Sequence, residues 1–495
     1  MRLNAKQIAA YTGGQFLVDP IDPSALMTGI TWDSREVQPG WLYVALPGER
    51  VDGHSFVEAA LRAGARGALV MQPPAPSALL LAREMGAAVI EVANTTSAIT
   101  DLARAWRGHL HGRVIALTGS VGKTTTKNLM RDVCAAAGSV VATKANQNNE
   151  LGVPRTLLAA DPETATVVVE MGMRGRGQIA ELTEFVRPEW GLITNVGESH
   201  IELLGSRENI ARAKAELLAA LPAGTGQAFL NGADDFSAFC ADDARLSARS
   251  VALTVFDGSP DAADHFAALE KAGATVARRL WAEDVVLDEE GRPRFTLCAA
   301  GFTDDGVVER TPCALALQGA HNVANACGAA AVGRALGLEL AAVAEALHGS
   351  VPESGRQEML TARGGFTVIN DAYNASPDSM RASLATFAAL AVTGRRIAVL
   401  GDMGELGHFA PACHRGVGEA AAGASLDQLV CVGDLAALIA EGAQEAGMDP
   451  SRIVRARTVA DVLEELDGRL EPGDAVLVKA SHFMELNRVV EGLVS

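Results

Sequence analysis

From Val114 to Met130 the chain reads VIALTGSVGKTTTKNLM, and these residue types in this order are suited to holding phosphate. An apolar run ends at Thr118, a glycine turn follows, and a helix begins near Lys123. The familiar phosphate loop, G-x-x-x-x-G-K-[ST], is longer; here only Ser120 and Val121 separate Gly119 from Gly122. The short turn keeps every chemical part. Its backbone N–H groups point outward at the positive end of the helix dipole. The two glycines let the backbone approach phosphate oxygens closely. Lys123 supplies a mobile cation, and Thr124, followed by Thr125, a hydroxyl for Mg2+. The pattern predicts nucleotide binding. The competing reading is a glycine turn with an incidental lysine.

Three further stretches carry polar groups near strand ends, where ligands of α/β proteins bind. VVVEMG puts Glu170 after three valines, as a metal-binding carboxylate or equally as one facing water. ITNVGESHIELLG puts His200 just past another strand; a lone histidine is more often structural. RAKAELLAAL puts Lys214 in a helix among Ala and Leu, and in isolation it reads as a solvated helical lysine.

The elements that must position these groups alternate in type. Short apolar runs bounded by Gly, Asp or Asn predict strands at 114–118, 167–170, 191–194, 228–230, 368–370, 397–400, 429–432 and 475–478, and such runs read as buried parallel strands. Ala- and Leu-rich helical stretches lie between them. After the loop, Leu129, Met130, Val133, Cys134 and Ala137 share one helical face, with Gly138 as the expected cap. The fold class is α/β with mainly parallel sheets. Three blocks are expected, at residues 1–93, 94–353 and 354–495, with antiparallel hairpins inserted at about 275–318 and a hinge at HGSVPESG.

At 495 residues the chain exceeds one core, and 48% hydrophobic residues argue against disorder. A net charge of −18 argues against a nucleic-acid or anionic-membrane surface. Seven cysteines without a C-x-x-C read as reduced thiols. No apolar signal core opens the chain and no run suits a membrane span, so a cytoplasmic protein is expected.

Taken together, TGSVGKTT, NQNNELGVP, EMGMRGRGQI, NVGESHIELLGSRENIARAKAELL, LNGADD, GAHNVANACGAAAVG, SGRQE and DAYNASPDSM resemble the Mur ligases of peptidoglycan synthesis, in order and over nearly the whole chain. The short loop is characteristic of these ATP-dependent amide-bond-forming enzymes. Within the family, DSREVQPGWLYVALPGERVDGHSF, DAYNASPDSM and GDMGELG resemble the branch that joins D-alanyl-D-alanine to UDP-N-acetylmuramoyl-tripeptide. The D-N-P-R tetrapeptide usual in the branch that adds the third residue is absent.

The resemblance implies an N-terminal UDP-binding α/β domain, a central ATPase domain and a C-terminal Rossmann-like domain. It implies that Gly119, Ser120, Val121, Gly122, Lys123, Thr124 and Thr125 cradle the β- and γ-phosphates of ATP. Glu170 and His200 would hold Mg2+ with help from Thr124. Lys214 falls on the lysine that these enzymes carbamylate with CO2, giving an anion that can bridge metal ions. Asn325 would contact adenine, His321 and Asn322 would shape that helix start, and Asn231 would lie near the same site. Arg356 would reach the γ-phosphate and Asp371 the ribose; taken alone they read as a hinge salt bridge and a turn cap. Both lie past the hinge, so ATP binding would need closure. Ser34, Arg35, Asp52 and His54 would bind the UDP moiety, and Asn148 and Asn149 would line the way to the sugar-peptide.

Chemistry would rest on Lys123, Glu170, His200, Lys214 and Arg356, through an acyl phosphate. A monomer serving cell-wall growth, and through it cell shape and division, is implied. KASHFMELNRVV departs from the family's pattern at Ala480, His482 and Leu486-Asn487, and Ser376 stands for a usual asparagine. The alternatives are a sister ligase with another amine or acceptor, including folate-type polyglutamate synthesis, and a nucleotide-gated binding protein without ligation.

Overall fold

The computed structural model describes residues 1–48, 51–304 and 306–494. Glu49 and Arg50 of the N-terminal motif, Asp305 of the insertion and Ser495 lie outside the described residues. The chain forms two compact units, one of Met1–Leu117, Gly138–Gly172 and Ile179–Trp190, the other of Thr118–Ala137, Met173–Gln178 and Gly191–Ser495.

In the first unit a five-stranded sheet runs in the order Gln15–Val18, Ala88–Glu91, Gly67–Val70, Leu42–Val44, Ile30–Thr31. Its first pair is antiparallel and the rest are parallel. Tyr43, Val57, Leu61, Val70 and Val89 share one buried core with helix residues Ala78 and Ala82. The strands Arg113–Thr118, Thr166–Glu170 and Val140–Ala142 lie side by side and parallel. Val167, Val168 and Val169 are wholly buried, as an apolar run covered on both faces must be. The register sets Glu170 opposite Leu117.

In the second unit Gln227–Asn231, Ala252–Asp257 and Val276–Leu287 are parallel neighbours. Pro293–Ala300 and Glu309–Ala314 then add antiparallel strands, the hairpins expected of the insertion. A six-stranded sheet follows in the order Glu358–Thr361, Thr367–Asn370, Ala475–Lys479, Arg396–Gly401, Gln428–Val432, Ile453–Ala456. Only its first pair is antiparallel. Every expected strand is present. Ala252–Asp257 was not anticipated, because Thr254 and Asp257 interrupt its apolar run; both are buried. The helix after the glycine turn, Lys123–Ala135, stops short of the expected Gly138 cap: Ala136 is its C-cap and Ala137 is exposed. Among the described residues no helix is long and apolar enough to cross a membrane. All seven cysteines are free.

The last sheet ends on a buried ion pair. Lys479 Nζ lies 2.7 Å from Asp371 Oδ2, with side chains 4% and 10% exposed. Removing one member leaves a buried charge alone, which costs about 3–5 kcal/mol. Lys479→Ala is therefore expected to lower the urea midpoint of this sheet's unfolding by that equivalent. A loss under about 1 kcal/mol, the worth of an exposed pair, would contradict the pairing.

Candidate active site

The glycine turn is braced by the segment after the strand Trp190–Ile193. Ser120 N–H donates to the Asn195 carbonyl and Val121 N–H to Asn195 Oδ1, both at 3.0 Å. The Val121 carbonyl accepts from Thr194 Oγ1 at 2.7 Å and Asn195 Nδ2 at 3.0 Å. Gly122 caps the loop helix with φ +78°, a left-handed conformation that favours glycine. A Cβ there would sit 2.5 Å from Asn325 Oδ1. Lys123 folds back over the turn, its Nζ donating to the Gly119 carbonyl at 2.7 Å and the Ser120 carbonyl at 3.2 Å. The ammonium is thus held against the backbone carbonyls of the turn.

The helix Lys123–Ala135 packs against the helix His321–Ala335. Gly333 permits the close approach, since a Cβ there would lie 2.4 Å from Val133 Cγ1. The first turn of the second helix brings Asn325 to the loop. Asn325 Oδ1 accepts from Thr126 Oγ1 at 3.1 Å, and its Nδ2 donates to Asn322 Oδ1 at 2.8 Å. Asn231 ties its strand end to the same bracing segment through Nδ2 and the Thr194 carbonyl, 3.1 Å.

Lys214 is not solvated, contrary to its reading in isolation. It is 1% exposed. The helix Arg207–Ala219 also buries Ile210, Ala211, Ala213, Ala215, Leu217 and Leu218. Burial, with the Lys123 charge second, pushes Lys214 well below the usual ammonium range. Asp234, raised by its own burial, acts on it in the opposite sense, and is fixed by the N–H groups of Val196 at 2.6 Å and Phe236 at 2.9 Å.

A pH dependence follows. An unfolded lysine protonates below about 10.4, whereas folded Lys214 stays neutral down to its depressed value. Within that window the unfolded chain binds the extra proton, so stability rises with pH. In CO2-free buffer, Lys214→Met is expected to be the more stable protein at pH 7, with the gap closing towards pH ~10. Urea midpoints at pH 7, 8 and 9 measure it; parallel curves would contradict it.

His200 has φ +63° and its Nδ1 meets the Glu405 carboxylate. Burial lowers its pKa most, Glu405 opposes the shift, and Lys123 and Lys214 add to it. Lys123, His200 and Lys214 are therefore close enough to feel one another's charge. Glu170 stands in the first unit, 1% exposed. Its Oε1 accepts from Asn148 Nδ2 at 2.8 Å, and its N–H donates to Thr143 Oγ1 at 3.0 Å. Asn149 Oδ1 accepts from Gly152 N–H at 3.0 Å, shaping the start of the helix Gly152–Ala159.

Past the hinge, the Arg356 guanidinium carbon lies over Tyr373, 4.3 Å from its ring centre, and not in the expected salt bridge. The Asp371 carboxylate is shared among Lys479, Ser383 Oγ and the Gln357 N–H. Glu353 of the hinge reaches the loop helix, accepting from Asn128 Nδ2 at 2.8 Å and lying 3.8 Å from Lys127 Nζ. Ser376 takes the asparagine's place as a helix cap, its Oγ accepting from Ser379 N–H; the two residue types cap about equally well. His482 packs its ring beside Tyr373.

Of the residues expected at UDP, Asp52 and His54 form one local network. Asp52 accepts from the His54 N–H at 3.0 Å and meets its Nδ1 at 2.6 Å, while His54 Nε2 accepts from Met71 N–H at 2.8 Å. Arg35 is exposed and paired with Asp33. Ser34 adjoins it in the turn after strand Ile30–Thr31.

The Thr124 hydroxyl and, in the other unit, the Glu170 carboxylate are each of the hard oxygen type that Mg2+ takes. Among the described residues no three His, Cys, Asp or Glu side chains converge to hold a metal.

The chain matches the Mur ligase family catalytic domain over residues 26–107, the Mur ligase middle domain over 117–333 and the glutamate ligase domain over 355–482. It is 39% identical to UDP-N-acetylmuramoyl-tripeptide–D-alanyl-D-alanine ligase of Mycobacterium tuberculosis, covering 100% of this chain and 98% of that one. It belongs to the Mur ligase family.

A second UDP-N-acetylmuramoyl-tripeptide–D-alanyl-D-alanine ligase, from Bacillus subtilis, is 33% identical over 100% of this Mur ligase and 99% of its own length. The crystal structure of MurF from Acinetobacter baumannii superposes with a TM-score of 0.80 at 29% identity, covering 100% and 99% of the two chains. MurF from Thermotoga maritima, solved with ADP, gives 0.72 at 25% identity, covering 94% and 97%.

Several residues that shape this Mur ligase's site escaped the sequence reading. Thr194 and Asn195 brace the turn, the Asp234 charge acts on Lys214, and Glu405 meets His200. TNVG after a strand is a legible signal for the first two. Asp234 and Glu405 reach the site only through tertiary packing.

Proposed function

We propose that this ATP-dependent ligase joins D-alanyl-D-alanine to UDP-N-acetylmuramoyl-tripeptide, making a peptidoglycan precursor. The observation that carries the reading is the full-length similarity to ligases of that activity; the glycine turn, with Lys123, His200 and Lys214 beside it, supports it. The tripeptide's terminal carboxylate attacks the γ-phosphorus of ATP. A carboxyl C–O–P bond forms, the bond to the β–γ bridging oxygen breaks, and ADP leaves. The dipeptide's amine then attacks the acyl carbon, forms the amide, loses a proton and releases phosphate.

Lys123 and Arg356 stabilise charge on the transferring group. Mg2+, when bound, supplies further neutralisation across the phosphates. Neutral Lys214 adds CO2 with loss of a proton, and the resulting carbamate is an oxygen donor in an otherwise cationic spot. Acyl phosphates hydrolyse readily, so the third block closes to exclude water. Glu353 on Lys127 and Asn128, and Arg381 at 3.6 Å from Glu198, support that closure. The three blocks, 1–93 for UDP, 94–353 for ATP and 354–495 for the Rossmann-like part, act as one cytoplasmic monomer. In the cell the product serves wall growth and thereby shape and division.

Phosphate release with a panel of acceptors and amines tests the reading. Turnover is expected with the muramoyl-tripeptide and D-alanyl-D-alanine together. Preference for another amine or a folate acceptor would favour a sister ligase; nucleotide binding without amide formation would favour a switch.

A further inference from the structure

Asp257 ends the strand Ala252–Asp257 as a wholly buried carboxylate that the reaction as written does not use. The hydrogen bonds it accepts come from just ahead in the chain. Its Oδ1 accepts from the Ser259 N–H at 2.8 Å and from Ser259 Oγ at 2.7 Å. Its Oδ2 meets Nδ1 of His265, in the helix Ala262–Lys271, at 2.8 Å. A buried carboxylate is costly unless such donors satisfy it. Here they serve to fix one short turn, residues 257–259.

That turn is pressed on the helix His321–Ala335. A Cβ on Gly258 would overlap the Ala324 backbone, and a Cβ on Gly328 would sit 3.3 Å from the Phe256 ring. The turn's position is therefore passed to the helix start backbone to backbone, with no side chain to absorb a shift. Asn325 follows Ala324 and faces the phosphate turn, where a Cβ on Gly122 would lie 2.5 Å from Asn325 Oδ1. The neighbouring strand end closes on the carboxylate itself: a Cβ on Gly232 would lie 2.8 Å from Asp257 Oδ2. Contact thus runs unbroken from Asp257 through Gly258 and Ala324 to Asn325 and the phosphate turn.

We propose that Asp257 is a positioning residue for nucleotide binding: it locks Gly258 against Ala324 and thereby sets Asn325 where the base of the nucleotide is read. The proposal rests on the ligase reading for Asn325's role.

The test uses the full chain. Calorimetry in Mg2+ compares two probes, a non-hydrolysable ATP analogue and inorganic tripolyphosphate. The analogue needs both the base end and the phosphate turn; tripolyphosphate needs only the turn. Asp257→Ala frees the 257–259 turn. Gly258→Ala keeps the carboxylate but wedges the helix start away. Both are expected to raise the Kd of the ATP analogue about tenfold, the worth of one hydrogen bond, and to leave that of tripolyphosphate within about twofold. Asp257→Asn still offers Ser259 an acceptor and should fall between. This milder change also stands in should the alanine variant fold poorly.

A purely structural carboxylate would move both probes together, or neither. Equal weakening of the two, or an analogue Kd within about twofold of wild type where about tenfold is expected, overturns the proposal. Failure of wild type to form the amide, with nucleotide still bound, overturns the ligase reading instead and leaves the probe comparison to stand or fall by itself.

Discussion

Lys123→Ala lowers kcat for ATP-dependent ligation by about 10³-fold or more, with UDP-substrate affinity nearly unchanged. The size follows from the job. A cation placed at the transferring phosphoryl group acts mainly on the transition state, and removing such groups costs about 10²- to 10⁵-fold. Lys123 Nζ lies against the Gly119 and Ser120 carbonyls, so it needs little rearrangement to meet phosphate. Alanine is a good helix former at the first position of Lys123–Ala135, so the turn should persist. Quenched-flow measurement of ADP formation, beside calorimetry of UDP-substrate binding, separates the two effects. Near-normal ligation by the variant would mean the loop had been misassigned.

Lys214→Ala is expected to lower ligation by about 10²- to 10³-fold, a loss of the size seen when one charge-stabilising group is removed, and to be partly rescued by formate or acetate. The wild-type side chain is almost wholly buried. Truncation leaves a space the length of a lysine in which a small carboxylate can stand for the proposed carbamate. Lys214→Met fills that space and should be equally inactive but refractory to rescue. The contrast matters, because a purely structural lysine would give the opposite order: methionine active, alanine damaged and indifferent to formate. Ligation rate against formate concentration for both variants reads the difference.

Sequence carried the fold further than the site. The strands Thr166–Glu170, Arg396–Gly401 and Ala475–Lys479 were legible because parallel strands buried on both faces must be nearly all apolar. Ala252–Asp257 was not, since Thr254 and Asp257 are buried polar residues within it. In the site, the glycine turn could be read from spacing, because local backbone geometry demands glycine and the helix follows directly. Lys214 was misread alone, since its burial depends on elements far along the chain. Asn148 was expected to face substrate, and its amide is engaged by Glu170. Asp371 reads as a ribose ligand by resemblance, while its carboxylate here is shared with Lys479 and Ser383; a sugar hydroxyl would have to join that network. Each of these outcomes is a side-chain pairing across the fold, which no periodicity encodes.

The most direct measurement is mass spectrometry of the product. The purified chain is mixed with ATP, Mg2+, UDP-N-acetylmuramoyl-tripeptide and D-alanyl-D-alanine, and each component is left out in turn. A UDP-muramoyl-pentapeptide that appears only with all of them, alongside equimolar ADP and phosphate, is the result expected. ATP consumption with the tripeptide recovered unchanged would contradict the account.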